Sequence, residues 1–147
     1  MGISYKEYLE KHDTLTYTNA GVSMLPLLRQ GKDLFIVRRK EAVRCRAGDV
    51  VMYARTADQY VLHRVIKVRP EDYVMMGDNC ITKEYGIQDD NIIGVMTGYV
   101  RAGREHKVTE LSYRMYSFII MHTIGIRVFL KRCKMKLAQC GRWIRKG

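Results

Sequence analysis

Residues 49–79, DVVMYARTADQYVLHRVIKVRPEDYVMMGDN, decide the fold. Within them Asp49–Ala54, Tyr60–Val68 and Tyr73–Met76 are short and rich in Val, Ile, Met and Tyr, the composition of strands. Pro70-Glu71-Asp72 and Gly77-Asp78-Asn79 end the second and third runs as turn-forming breaks. Outward from this centre, Leu15–Thr18, Leu34–Val37 and Ile92–Val100 read as further strands, with breaks at Gly31-Lys32-Asp33 and Ala47-Gly48. The spacing is near the roughly 8–12 residues of a compact β-barrel or bent sheet. Ser4–Lys11 has Tyr5, Tyr8 and Leu9 on one stripe, which predicts a short amphipathic helix. From about Leu111 the period becomes helical, with Met115, Phe118, Ile119, His122, Ile126, Phe129, Leu130, Cys133 and Leu137 at three- and four-residue steps. The expectation is a mainly β protein: an N-terminal helix in residues 1–14, a β domain over 15–105 and a basic amphipathic helical tail over 106–147.

The chain has 147 residues, enough for one domain and one core. Its 47% hydrophobic and 28% charged residues exclude wholesale disorder. The net charge of +11 is unevenly placed: residues 1–100 hold 14 basic and 13 acidic side chains, residues 101–147 hold 12 and 2. The basic character belongs to the tail. Cys45, Cys80, Cys133 and Cys140 lack CxxC or His-Cys spacing, so reduced thiols are expected and neither a metal nor a cofactor is implied. The opening MGISYKEYLEKHDTLTY has no apolar h-region and does not read as a secretory signal. The uncharged stretch Met115–Ile126 has 12 residues, short of the about 20 that a bilayer span needs.

The segment Ala20-Gly21-Val22-Ser23-Met24-Leu25-Pro26 places a serine between a strand-like run and a turn. Gly21 lets the backbone approach a ligand closely, and Pro26 stiffens the turn after the serine. Backbone N–H groups at such a turn suit the oxyanion formed when a hydroxyl attacks a carbonyl. A serine needs a base to act as nucleophile. Among the four histidines, His63 lies inside the longest strand candidate, where a stiff backbone would fix it as a general base. His12 lies near a helix end, His106 in a basic loop and His122 in the tail. Asp78, in the Gly-Asp-Asn turn, and Glu84 are the candidate carboxylates for holding the imidazole. Asp89-Asp90 reads as a solvated turn.

The five runs G-x-S-M-L-P-L-L-x-x-G-x-D, G-D-V-V-M-Y, V-L-H-R-V-I, M-G-D-N and I-I-G-V-M-T-G occur in this order between Ala20 and Val100. Together they resemble the type I signal peptidase and SOS-repressor peptidase superfamily. The residue at the base position is His63, as in the archaeal and endoplasmic-reticulum signal peptidases, where the bacterial leader peptidases have lysine. The resemblance implies a domain of coiled β-sheets and a serine endopeptidase with Ser23 as nucleophile and His63 as base. It also implies an oxyanion site at the main chain of Ser23 near Gly21, with Met24 and Pro26 beside the substrate. Asp78 and Glu84 both match acidic positions, the second with glutamate where aspartate is usual, and their ranking stays open. The implied substrate is an extended peptide segment of a precursor protein, added to a sheet edge with small side chains before the scissile bond. Two departures stand out. Only about 20 residues, polar in character, precede the serine motif where signal peptidases carry an apolar anchor, and a basic helical tail comes after the core.

The composition of the tail raises three expectations. Apolar residues interleaved with Lys and Arg suit an anionic lipid interface, giving a peripheral protein on the cytoplasmic side of a membrane. A helix covering the core, in a soluble cytoplasmic protein, is the second. Nucleic-acid contact is the third and least favoured, because phosphates need no apolar stripe. Two other functions stay open beside the peptidase: a self-cleaving regulator like the SOS repressors, and a non-catalytic basic protein that binds membranes or nucleic acid. Ala20-Gly21 lies too close to Ser23 to bend back into its own site, which weighs against the first. The joint presence of serine, histidine and acid weighs against the second.

Overall fold

The computed structural model describes residues 2–144. An eight-stranded antiparallel sheet dominates, with a helix before it and two after it. The strands are β1 (Thr14–Thr18), β2 (Leu34–Arg39), β3 (Val50–Ala54), β4 (Tyr60–Val68), β5 (Tyr73–Met76), β6 (Glu84–Ile87), β7 (Ile92–Arg101) and β8 (Arg104–Lys107). They lie in the order β1-β2-β7-β3-β4-β5-β6, and β8 folds back on the C-terminal half of β7. Register breaks at Ile36/Val37, Met52/Tyr53, Val65/Lys67 and Tyr73/Met75 bend the sheet.

Bending wraps the sheet around two cores, and β3 serves both. Val50 and Met52 join Leu9, Leu28, Val37 and Met96 in one cluster, while Val51 and Tyr53 join Val65, Tyr73 and Met75 in the other. A strand covered on both faces has no use for alternation, which is why it reads Val-Val-Met-Tyr. α1 (Tyr5–His12) starts at a capping box between Ser4 and Glu7 and ends at Asp13, whose φ of 63° turns the chain into β1. Its Leu9 is buried in the first core, and Gly94 on β7 makes room for it: a Cβ there would stand 3.3 Å from Leu9 Cδ1.

The helical tail is two helices, α2 (Leu111–His122) and α3 (Ile124–Ile144), where the sequence periodicity runs on without a break. Thr123 divides them. Its Oγ1 and N–H both donate to the Ile119 carbonyl, and its own carbonyl accepts the Arg127 N–H. α2 packs on the domain through Tyr113 and Ile120, whereas α3 buries no residue. No helix among the described residues is long and apolar enough to cross a membrane.

Three local expectations are corrected. His106 lies on β8, stacked on Tyr99, and not in a loop. Asp89 is no solvated turn residue: it accepts from Lys40 Nζ at 2.6 Å and Tyr73 Oη at 2.5 Å, tying the β2 end to β5. Met24 is 1% exposed inside the first core, so its side chain anchors the serine loop and is not available to a substrate.

Candidate active site

The loop carrying Ser23 lies outside the ladder and is held by turn-type backbone bonds such as Gly31 N–H to Asn19 O and by side chains. Met24, Leu27 and Leu28 sink into the core. Asn19 Nδ2 donates to the Gly21 and Leu28 carbonyls at 2.8 and 3.3 Å. Buried Asp33 closes the loop by accepting from Arg29 and Arg101. Burial alone would raise the Asp33 carboxyl, but hydrogen bonds from Arg101 and Arg29 outweigh it and hold the group well below the usual carboxylate range. Arg101 also donates to the Leu27 carbonyl at 2.8 Å. A charged lock thus fixes both ends of the loop.

β4 brings in the histidine. Its first half pairs with β3 and its second with β5, so His63 and Arg64 sit where the strand changes partners. Arg64 faces Met76 in register, and Gly77, which follows β5, comes beside His63. A Cβ on Gly77 would stand 2.6 Å from Ser23 O, 2.7 Å from Cys80 Sγ and 3.1 Å from His63 Nε2. Only glycine leaves room for serine backbone and imidazole to meet at one point. The Gly-Asp-Asn turn then grips the serine loop: the Asn79 N–H donates to Ser23 O at 2.8 Å and Asn79 Nδ2 to Val22 O at 3.0 Å.

The other imidazole nitrogen, Nδ1, is 3.4 Å from Glu84 Oε1 and 3.2 Å from Tyr53 Oη. Glu84 lies on β6 and is held from outside by the Arg55 guanidinium, whose Nε donates at 3.1 Å. Burial would raise the Glu84 carboxyl, yet bonds from Arg55 and Tyr53 keep it low and therefore ionised. Burial lowers the His63 pKa, with Glu84 opposing. Burial thus favours the uncharged imidazole, with Nδ1 beside Glu84 and Tyr53 and Nε2 beside Gly77.

Asp78 has a different task. Its carboxylate accepts from Arg64 Nε at 2.7 Å and Arg64 Nη2 at 2.8 Å in the interior, and from half-buried Tyr116 Oη at 2.8 Å. Arg64, 0% exposed, also donates to Gly48 O and Ser117 Oγ. This network pins α2 and the Gly-Asp-Asn turn to β4. Of the two acids, Glu84 stands at His63 Nδ1 and Asp78 is spent on Arg64.

A groove of about 200 Å³ opens beside Ser23, floored by Phe35 and Met52 and walled by Tyr5, Tyr17 and Leu62. The Tyr5 ring meets those of Tyr17 and Tyr60 edge-on, each with centroids 5.4 Å apart. Two backbone edges flank the groove. β1 pairs only with β2, and Tyr60–His63 carry no strand on the side away from β3 among the described residues. Gly21 also lines the groove, with open space where a Cβ would be, while Pro26 lines a separate hollow with Asn79, Cys80 and Lys131.

Sequence reasoning missed Arg64, Tyr53, Arg55 and Gly77 as parts of the site. An arginine next to the histidine inside the apolar run Val61-Leu-His-Arg-Val-Ile66 was the available sign, since a charge in a core demands a carboxylate. Among the described residues no group of His, Cys, Asp and Glu is arranged to hold a metal ion. Compared with protein-family models, curated proteins and solved structures, the chain matches none.

Proposed function

We propose that the protein is a serine endopeptidase of the signal-peptidase type, cleaving an extended segment of a precursor protein. The observation that carries this reading is the meeting of Ser23 backbone and His63 Nε2 over Gly77, with Glu84 behind His63 Nδ1. Each part serves one step of acyl transfer. Ser23 Oγ attacks the scissile carbonyl as its proton passes to His63 Nε2, and the tetrahedral oxyanion forms against the Ser23 main-chain N–H. His63 then returns the proton to the departing amine, and water hydrolyses the acyl ester by the same base. Glu84 keeps the ring in the tautomer that leaves Nε2 unprotonated and stabilises the imidazolium that forms.

The groove supplies the binding mode. An extended peptide can bond to the free edges of β1 and Tyr60–Leu62 while its side chains alternate into the groove. The crowding of Tyr5, Tyr17 and Tyr60 favours small side chains there. The bent antiparallel sheet agrees with the coiled-sheet domain that the resemblance implies.

A serine-reactive acylating probe tests the proposal. Wild type should be labelled and should hydrolyse a peptide with small residues before the cleavage point, while Ser23→Ala and His63→Ala lose both. Cys80→Ser is the necessary control, because Cys80 Sγ borders the same point. Undiminished hydrolysis in Ser23→Ala, or loss in Cys80→Ser alone, would overturn Ser23 as the nucleophile.

A further inference from the structure

α3 turns an apolar stripe away from the domain. Ile126, Phe129, Leu130, Leu137 and Ile144 are all exposed, Ile144 at 81%. At 3.6 residues per turn they fall on one side of the helix. Arg127 and Lys131 lie on the side toward the domain, where Arg127 Nη1 donates to Asp78 O at 2.6 Å and Lys131 Nζ to Asn79 Oδ1 at 2.8 Å. These bonds set which face is outward. α2 adds exposed Leu111, Met115 and Phe118, which line a shallow apolar hollow. From Leu111 to Gly147 the sequence holds nine Lys and Arg and no Asp or Glu.

We propose that the α2–α3 arm docks on an anionic lipid bilayer, with the α3 stripe at the acyl boundary and its basic residues among the headgroups. Charge selects this occupant. The stripe's spacing at Ile126, Leu130, Cys133 and Leu137 would also suit a seam with a second copy. The exposed residues flanking the stripe, however, include Lys134 and Lys136, so two copies would set like charges side by side. Nucleic acid would satisfy the charge and leave the stripe in water. The proposal is independent of the peptidase reading, since the arm binds lipid whether or not Ser23 is a nucleophile.

Flotation of the full chain with vesicles tests it. Vesicles containing phosphatidylglycerol should bind at least about tenfold better than phosphatidylcholine alone, with the preference falling at molar salt. Phe129→Glu/Leu130→Glu should abolish binding, and Lys134→Gln/Lys136→Gln should weaken it by roughly fivefold per charge removed. These side chains are exposed, so circular dichroism and peptide hydrolysis in solution should match wild type. Three results would each overturn the proposal: equal binding to both vesicles, no binding, or undiminished binding by the Phe129→Glu/Leu130→Glu variant. So would a dimer in light scattering that this variant dissolves, or binding to duplex DNA in preference to anionic vesicles.

Discussion

Replacing Asp78 by Asn keeps the side chain's size and removes its charge, which separates the two acids at the candidate site. Asp78 takes two hydrogen bonds from Arg64 and one from Tyr116. Asparagine offers one acceptor oxygen and would turn an amide NH2 toward a buried guanidinium. Leaving one member of a buried ion pair without its partner costs about 3–5 kcal/mol. That is a large part of the roughly 5–15 kcal/mol that holds a typical domain. At about 2–4 °C per kcal/mol, the melting temperature should fall by about 6–20 °C. Thermal and urea unfolding followed by circular dichroism measure this, with peptide hydrolysis assayed where both proteins are folded. Arg64→Met/Asp78→Leu should recover part of the loss, because no unpaired charge remains. A melting temperature within about 2 °C of wild type, together with lost hydrolysis, would refute the assignment and make Asp78 the partner of His63.

The same geometry sets further outcomes. Glu84→Gln should lower kcat by about 10²- to 10⁴-fold with little change in melting temperature, since Glu84 stands at His63 Nδ1 on the sheet margin. Burial lowers the His63 pKa, so the acid limb of kcat/KM should lie below the ordinary histidine value of about 6.5. Because Glu84 raises that pKa, Glu84→Gln should move the limb further to acid; a shift to alkaline pH would contradict the reasoning. The same depression makes the unfolded chain bind the proton first, so His63 stabilises the fold above about pH 6.5 and this contribution is lost as pH falls toward its folded value. Gly77→Ala would press a methyl on the Ser23 carbonyl, and a shift of about 1 Å should cost roughly 10²-fold in turnover. Unchanged kcat in that variant would mean that the serine loop moves freely.

Much of the sheet was legible because its strands are apolar. All six strand candidates fall on observed strands, with ends shifted by a residue or two, and α1 matches its cap and stripe. β6 and β8 escaped, since Glu84-Tyr-Gly-Ile is only four residues with a glycine inside it and Arg-Glu-His-Lys has no apolar residue, and both exist through pairing with β5 and β7. That omission hid why Glu84 reaches His63: it is placed by strand register opposite Met75, a relation invisible along the chain. Ser23 and His63 could be named from sequence, but their approach over Gly77 depends on β4 changing partners. The surroundings of Asp78 were hidden for a complementary reason. Its turn position suggested chemistry, and only burial exposes its pairing with Arg64.

The bonds from Arg127 and Lys131 to the Asp78-Asn79 turn also bear on how the protein is made. Lys131 lies 52 residues beyond Asn79, a stretch that takes about 3–10 s to synthesise at roughly 5–20 residues per second. During that interval every strand from β1 to β5 exists, but the turn that grips Ser23 lacks its two cationic fasteners. The helix that is made after the whole sheet therefore adds the last two bonds to a turn already held by Arg64, Tyr116 and the Ser23 loop.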